Sequence, residues 1–124
     1  TLDCVVIAAQ QGHGKRAGVL SDYTFAVRDK ESGELRTLGK AYSGLTDNEI
    51  EDLTDHFQKT TIEKISRRVV KVEPTIVLEI AFDKIRPSKR HDSGLALRFP
   101  RIKAIRSDKS LDEIDTLQTA KKLV

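Results

Sequence analysis

The stretch Thr46-Asp47-Asn48-Glu49-Ile50-Glu51-Asp52-Leu53-Thr54-Asp55-His56-Phe57-Gln58 decides how the chain must fold. Thr46 and Glu49 stand three apart, the spacing of a capping box, in which a threonine hydroxyl and a glutamate carboxylate satisfy backbone N–H groups that a helix start leaves unpaired. Ile50, Leu53 and Phe57 then recur at helical spacing, so one helix is expected from about Asp47 to Gln58. Its apolar stripe is narrow, which suits a helix lying against the end of a sheet structure.

Outward from this helix, both flanks read as strands. Upstream, Leu2, Val5, Val6, Ile7, Ala8 and Ala9 form an apolar run expected to be a strand buried on both faces. The segment from Gln10 to Gly18 breaks it: Gly12, Gly14 and Gly18 surround Lys15 and Arg16, a loop with two cations at its tip. Tyr23, Phe25 and Val27 alternate with Thr24, Ala26 and Arg28, a period of two and hence a second strand. A turn cluster from Asp29 to Gly33 leads into a third strand, Leu35 to Tyr42. Downstream, Val69–Val72 and Thr75–Phe82 are strand-like, with Pro74 between them. Leu95, Leu97 and Phe99 alternate with Ala96 and Arg98 until Pro100 breaks the ladder, and Ile102–Ile105 continues as a short strand. Ser110 and Glu113 repeat the capping-box spacing and predict a terminal helix through Leu117 to about Lys122. This order predicts a mainly β protein: a five-stranded OB-fold Greek-key barrel with a helix after the third strand and a C-terminal helix. Such barrels bind nucleic acid on one face. An SH3-like barrel shares the strand count but usually lacks a helix at that point.

The length of 124 residues implies one domain. No apolar run approaches the ~18 residues of a membrane span, and no signal-peptide pattern is present. Cys4 is the single cysteine, so an internal disulfide is excluded. Its apolar surroundings predict a packed thiol. The expected setting is intracellular and reducing, in the cytoplasm. A chain that starts at Thr1 and contains no methionine reads as an excised fragment. The net charge of +3 is unevenly placed: Lys84 to Lys109 holds nine basic residues against two acids, leaving 13 basic and 17 acidic residues elsewhere. Such a segment reads as a field aimed at a polyanion.

Three segments carry a resemblance that covers nearly the whole chain. Leu2-Asp3-Cys4-Val5-Val6-Ile7 followed by Gly12-His13-Gly14-Lys15-Arg16-Ala17-Gly18 resembles the first OB strand and basic loop of ATP-dependent DNA ligases. Ser93-Gly94-Leu95-Ala96-Leu97-Arg98-Phe99-Pro100-Arg101 resembles the stretch leading to that family's last nucleotidyltransferase motif, and Arg106-Ser107-Asp108-Lys109 fits the motif itself, R-x-D-K. R-x-D-K alone has little specificity; beginning thirteen residues after Ser93, it has a good deal.

The resemblance implies the C-terminal OB domain of an enzyme that seals nicked double-stranded DNA using ATP and Mg2+, with a nucleotidyltransferase domain upstream. The K-x-D-G motif of the adenylated lysine is absent from this chain, which alone is expected to be inactive. By the resemblance, Arg106, Asp108 and Lys109 face the β and γ phosphates of ATP and assist pyrophosphate departure, with Arg106 and Lys109 contacting the nucleotide. Arg98 and Phe99 fall against the minor groove near the nick. Phosphoryl transfer needs negative charge neutralised on its leaving group, which two cations and a metal provide. Taken alone, the motif also reads as an exposed turn ahead of a helix, and Phe99, sharing parity with Leu95 and Leu97, also reads as core.

Lys15, Arg16, Lys89, Arg90 and Arg101 are further candidates for phosphate contacts, which raise affinity without reading sequence. His13, His56 and His91 lack ligand spacing, so no metal site is predicted. A monomer is expected. The competing readings are a free-standing OB module binding single strands, for which Tyr23, Phe25 and Tyr42 would supply a stacking platform, and the OB domain of an mRNA capping enzyme or RNA ligase.

Overall fold

The computed structural model describes residues 1–124. In chain order it contains β1 (Leu2–Gln11), a 3-10 turn (Gly14–Arg16), β2 (Leu20–Arg28), β3 (Leu35–Ala41), α1 (Asp47–Lys59), β4 (Thr61–Lys64), β5 (Val69–Val72) and β6 (Val77–Ala81). There follow β7 (Lys84–Pro87), β8 (Leu95–Arg98), β9 (Arg101–Ile105), a 3-10 turn (Leu111–Glu113) and α2 (Leu117–Lys122).

β1 organises the sheet. Along one edge it pairs antiparallel with β2, from Val5↔Ala26 to Gln11↔Leu20. Along the other its first half pairs with β6 (Leu2↔Ile80 to Val5↔Val77) and its second half with β5 (Ala8↔Lys71 to Gln10↔Val69). β5 and β6 thus act as one strand broken around Pro74, as expected of a residue that cannot donate to the ladder. β3 extends the sheet beyond β2, and β9 extends it beyond β6. The two margins meet where the Ile102 N–H donates to the Ser43 carbonyl at 2.9 Å. Gly44 makes that meeting possible: its φ is +113°, and a Cβ there would lie 1.9 Å from the Ile102 oxygen. The outcome is the OB barrel expected from the order of elements, with α1 after the third strand.

Leu2, Cys4 and Val6 point into the main core with Tyr23, Phe25, Val27, Leu38, Leu78 and Ile80. Val5 joins Ala26, Val77 and Ile114 in a smaller cluster on the outer side, which is why β1 is apolar at successive positions. α1 begins with the predicted capping box, Glu49 N–H to Thr46 Oγ1 at 3.2 Å and Thr46 N–H to Glu49 Oε1 at 2.9 Å. It buries Ile50, Leu53 and Phe57 against the core, with the Phe57 ring 5.7 Å from that of Tyr23. Burial pushes the Tyr23 and Cys4 pKa values up, in keeping with a packed phenol and an inert thiol.

The structure differs from the sequence reading in three places. β1 continues through Gln10 and Gln11 before the cationic loop begins. Short strands β4 and β7 were not anticipated, because all four residues of β4 are exposed and β7, Lys-Ile-Arg-Pro, has one buried side chain, so neither shows alternation. Ser110 and Glu113 do interact, Ser110 N–H to Glu113 Oε1 at 3.1 Å, but they open only a single 3-10 turn. The terminal helix starts later, capped by Thr116, whose hydroxyl accepts from Thr119 N–H at 3.1 Å.

α2 is fastened to the β2–β3 turn. Gln118 donates to Asp29 Oδ1 at 2.9 Å and accepts from the Lys30 N–H at 3.0 Å. The Gln118 amide, together with the Glu31 N–H, lowers the Asp29 pKa to about 2. A folded pKa below the unfolded value of about 3.9 means this stabilisation is complete above about pH 4. It is lost as pH falls through about 2. Asp29→Asn should therefore flatten the acid limb of a stability–pH curve between those limits, measured by urea unfolding. In the same assay Gly44→Ala should cost about 3 kcal/mol or more, from backbone strain and the clash together. Gly33→Ala, at φ +75° with nothing within 4 Å, should cost only about 1 kcal/mol.

Candidate functional site

Nine basic residues between Lys84 and Lys109 are sorted by the fold into two classes. Four of them are neutralised: Arg101 by Asp83 at 3.1 Å, Lys103 by Glu79 at 3.9 Å, Arg106 by Asp108 at 3.0 Å, and Lys109 by Asp3 at 2.6 Å. The other five, Lys84, Arg86, Lys89, Arg90 and Arg98, are exposed, form no ion pair, and all lie on or between β7 and β8. The hairpin's one acid, Asp92, is turned back onto β3, where it accepts from the Thr37 N–H at 2.7 Å and meets Arg36 at 3.9 Å, so the five cations keep a net positive field at the hairpin surface.

This hairpin overhangs the outer face of β2 and β3. Arg90, His91 and Ser88 line one wall of a groove whose floor includes Thr24, Thr37 and Lys40. Lys40 continues into a second depression with Tyr42, Phe99 and Pro100, and Tyr42 into a third with His13 and Arg16. A continuous strip therefore runs from the loop after β1, across the end of β3, to the β7–β8 hairpin. Loops joining strands at these positions flank the ligand face of OB barrels. Lys15 and Arg16 sit in the 3-10 turn at one end, Arg16 in a surface pair with Asp47 at 3.5 Å, which holds it only weakly. Sequence reasoning missed Lys40 as part of this strip, because an isolated lysine within a strand carries no motif.

Phe99 is not core. Its ring is 63% exposed, and its backbone sits at φ +53°, in the left-handed region that a bulky residue occupies at a cost of about 1–3 kcal/mol. Arg101 holds that turn by donating to the Phe99 carbonyl at 3.0 Å while paired with Asp83. The Arg98 guanidinium lies 5.2 Å from the ring centroid. Tyr42, 69% exposed, lines the same depression. Two aromatic faces and several unpaired cations on one strip make a surface suited to a nucleic-acid backbone and its grooves.

The R-x-D-K residues lie apart from the strip. Arg106 grips Asp108 with both Nε (3.1 Å) and Nη2 (3.0 Å), and its Nη1 reaches Asp3 at 3.5 Å. Lys109 donates to the other Asp3 oxygen at 2.6 Å. Asp3 itself is only 8% exposed, and its backbone is fixed on both sides: its N–H donates to Asp115 Oδ2 at 2.7 Å, and its carbonyl accepts from the Asp115 N–H at 2.9 Å. The bond with Asp108 raises the Arg106 pKa and lowers that of Asp108, and the bond with Asp3 raises that of Lys109. Asp3 was not anticipated, although a carboxylate inside an otherwise apolar strand is the signal that could have found it: a buried charge needs a partner.

The profile of the ATP dependent DNA ligase C terminal region matches residues 16–109. The chain belongs to that family. A probable DNA ligase of Opitutus terrae is 60% identical over 124 residues, and one of Koribacter versatilis 55% over 123. DNA ligase 1 of Korarchaeum cryptofilum is 43% identical over 123 residues. The chain spans only 12%, 21% and 23% of these three proteins. Among solved structures, the ligase domain of M. tuberculosis LigD superposes with a TM-score of 0.74 at 17% identity, over 91% of this chain and 37% of that one, and so shares the fold. A mycobacterial DNA ligase D complexed with ATP and MES gives 0.70 at 18% identity, over 93% and 37%.

For this ligase C-terminal region the strained Phe99 yields a stability test. Phe99→Gly should leave the unfolding free energy unchanged or raise it by about 1 kcal/mol, since glycine relieves the positive φ and little burial is lost. A loss above about 2 kcal/mol in urea would mean that the ring is structural.

Proposed function

We propose that this domain closes an ATP-dependent DNA ligase around nicked duplex DNA and, in a separate step, brings Arg106 and Lys109 to the phosphates of ATP. The observation that carries the first half is the strip of unpaired cations and exposed aromatics between the loop after β1 and the β7–β8 hairpin. Lys40, Lys89, Arg90 and Arg98 would neutralise backbone phosphates, with Lys15 and Arg16 extending the footprint. Phe99, standing out beside Arg98, would press into the minor groove, where an apolar wedge distorts a base step and arginine favours the negative potential. Arg101 acts on DNA indirectly in this reading, by holding the turn that presents Phe99.

The second half rests on donor chemistry. A guanidinium fork that already holds a carboxylate bidentately fits a phosphate in the same way. An ammonium beside it adds a second charge for the departing pyrophosphate, and ATP supplies the adenylyl group to a lysine of the upstream nucleotidyltransferase domain. Mg2+, which is commonly held by one or two carboxylates together with substrate phosphates, would supply further charge neutralisation on the leaving group.

The competing single-strand module is less well supported: of the three aromatics of its stacking platform, Tyr23 and Phe25 are fully buried and only Tyr42 is exposed. In the full-length ligase, Arg106→Ala/Lys109→Ala should reduce lysine adenylation by about 100-fold or more while sealing of a pre-adenylated nick is largely kept. Undiminished adenylation would remove these residues from the pyrophosphate. Arg90→Ala and Lys40→Ala should each lower the slope of log K against log salt for a nicked duplex by about 0.9, and an unchanged slope would take them off the phosphates.

A further inference from the structure

We infer that the two carboxylates around R-x-D-K have different tasks: Asp3 is a positioning residue that fixes Lys109 and steadies Arg106, while Asp108 is an exchangeable partner that an incoming phosphate displaces. This rests on the proposed role of the motif in adenylation. The difference is written in their surroundings. Asp3 lies in β1, is 8% exposed, and has both backbone polar groups tied to Asp115. It cannot leave without breaking β1 away from Asp115. Asp108 sits in an exposed turn with a side chain 67% open to solvent. It holds Arg106 by two bonds that solvent or another anion can replace.

The valences differ as well. Asp108 occupies the Nε–Nη2 edge of Arg106, the fork by which a guanidinium would grip a phosphate. Asp3 leaves that edge free: it meets Arg106 only through Nη1, at 3.5 Å, and engages Lys109 through one bond. An ammonium has three donors, so Lys109 can hold Asp3 and a phosphate oxygen together. The site is thus self-neutralised at rest, with one anion built in and one detachable. Exchange of Asp108 for a phosphate oxygen restores charge balance without moving the backbone of β1.

Two measurements test this. Inorganic pyrophosphate is titrated into the 124-residue chain, wild type, Asp108→Asn and Asp3→Asn, with Arg106→Ala/Lys109→Ala as the blank. Asp108→Asn should bind about fivefold tighter than wild type, because the fork is freed while its aim is kept. Asp3→Asn should gain less than about twofold, the charge gain being offset by loss of aim. Equal gains in the two variants, or no gain in Asp108→Asn, would overturn the division of tasks. In the full-length ligase, Asp3→Asn should lower adenylation but spare sealing of a pre-adenylated nick. Its effect should largely disappear when Lys109 is already alanine, since the two act as one unit. Faster adenylation in Asp3→Asn would make Asp3 a brake and refute positioning, as would equal loss in both steps. The Arg106→Ala/Lys109→Ala enzyme separates the two levels: if it adenylates normally the motif's proposed role fails, whereas loss there with normal Asp3→Asn adenylation defeats only the positioning inference.

Discussion

Everything in this domain hangs on the double pairing of β1. One ten-residue strand takes β2 along one edge and shares the other between β5 and β6, so it is buried on both faces and bonded on both sides. Pro74 makes the sharing possible by breaking what would be one partner strand into two that diverge around it. The barrel then needs only one further closure, at Ser43 and Ile102, where Gly44 tolerates a backbone approach that any side chain would forbid. Asp3 and Gly12 lie near the two ends of this strand, a path of about 30 Å along an extended backbone. The motif residues gather at the first and the basic loop springs from the second.

Charge is distributed on a similar principle. The sequence places nine cations in one segment, but folding separates those that face acids from those that do not. β9 and the residues after it run beside Glu79 and Asp3, so Lys103, Arg106 and Lys109 are compensated there. The one acid of the β7–β8 hairpin, Asp92, is taken up by Arg36 and the Thr37 N–H of β3, and the hairpin's five cations form no ion pair. A polyanion approaching this domain therefore meets its field at the hairpin and strip, while the R-x-D-K end is close to neutral. The free field and the paired R-x-D-K cluster occupy different surfaces of one small barrel.

Much of this was legible in the sequence, and what was hidden was hidden for physical reasons. The run from Leu2 to Ala9, the alternation at Tyr23, Phe25 and Val27, and the Thr46–Glu49 box each express a local rule in adjacent residues, and each formed the expected element. β4 gave no signal because an exposed edge strand has no buried face to impose a period. At Ser110 the local rule held, and Glu113 does reach back, yet the helix began only at Leu117, because Ile114 to Thr116 are held extended. The Asp115 N–H donates to the Asp3 carbonyl and the Asp115 carbonyl accepts from the Arg28 N–H, long-range bonds that override local propensity. Phe99 shares parity with Leu95 and Leu97, and only the positive φ imposed at the turn before Pro100 sends its ring outward. Asp3, Lys40 and the Asp83–Arg101 clamp depend on contacts between residues far apart in the chain, which periodicity cannot show.

The same constraint explains why strain and neutralisation are tolerated here. A left-handed phenylalanine and a buried aspartate each cost stability that an isolated hairpin or strand could not absorb. Both are anchored to the doubly paired core, Phe99 through Arg101 at the start of β9 and Asp3 within β1 itself. β9 pairs with β6 and β6 with β1, so the two devices share one rigid frame while facing different surroundings. A frame that is bonded on every side can hold an exposed ring at one place and a cluster of paired cations at another without either loosening the other. Freedom to rearrange is then left to the exposed Asp108, the one charged partner around Arg106 and Lys109 that the core does not hold.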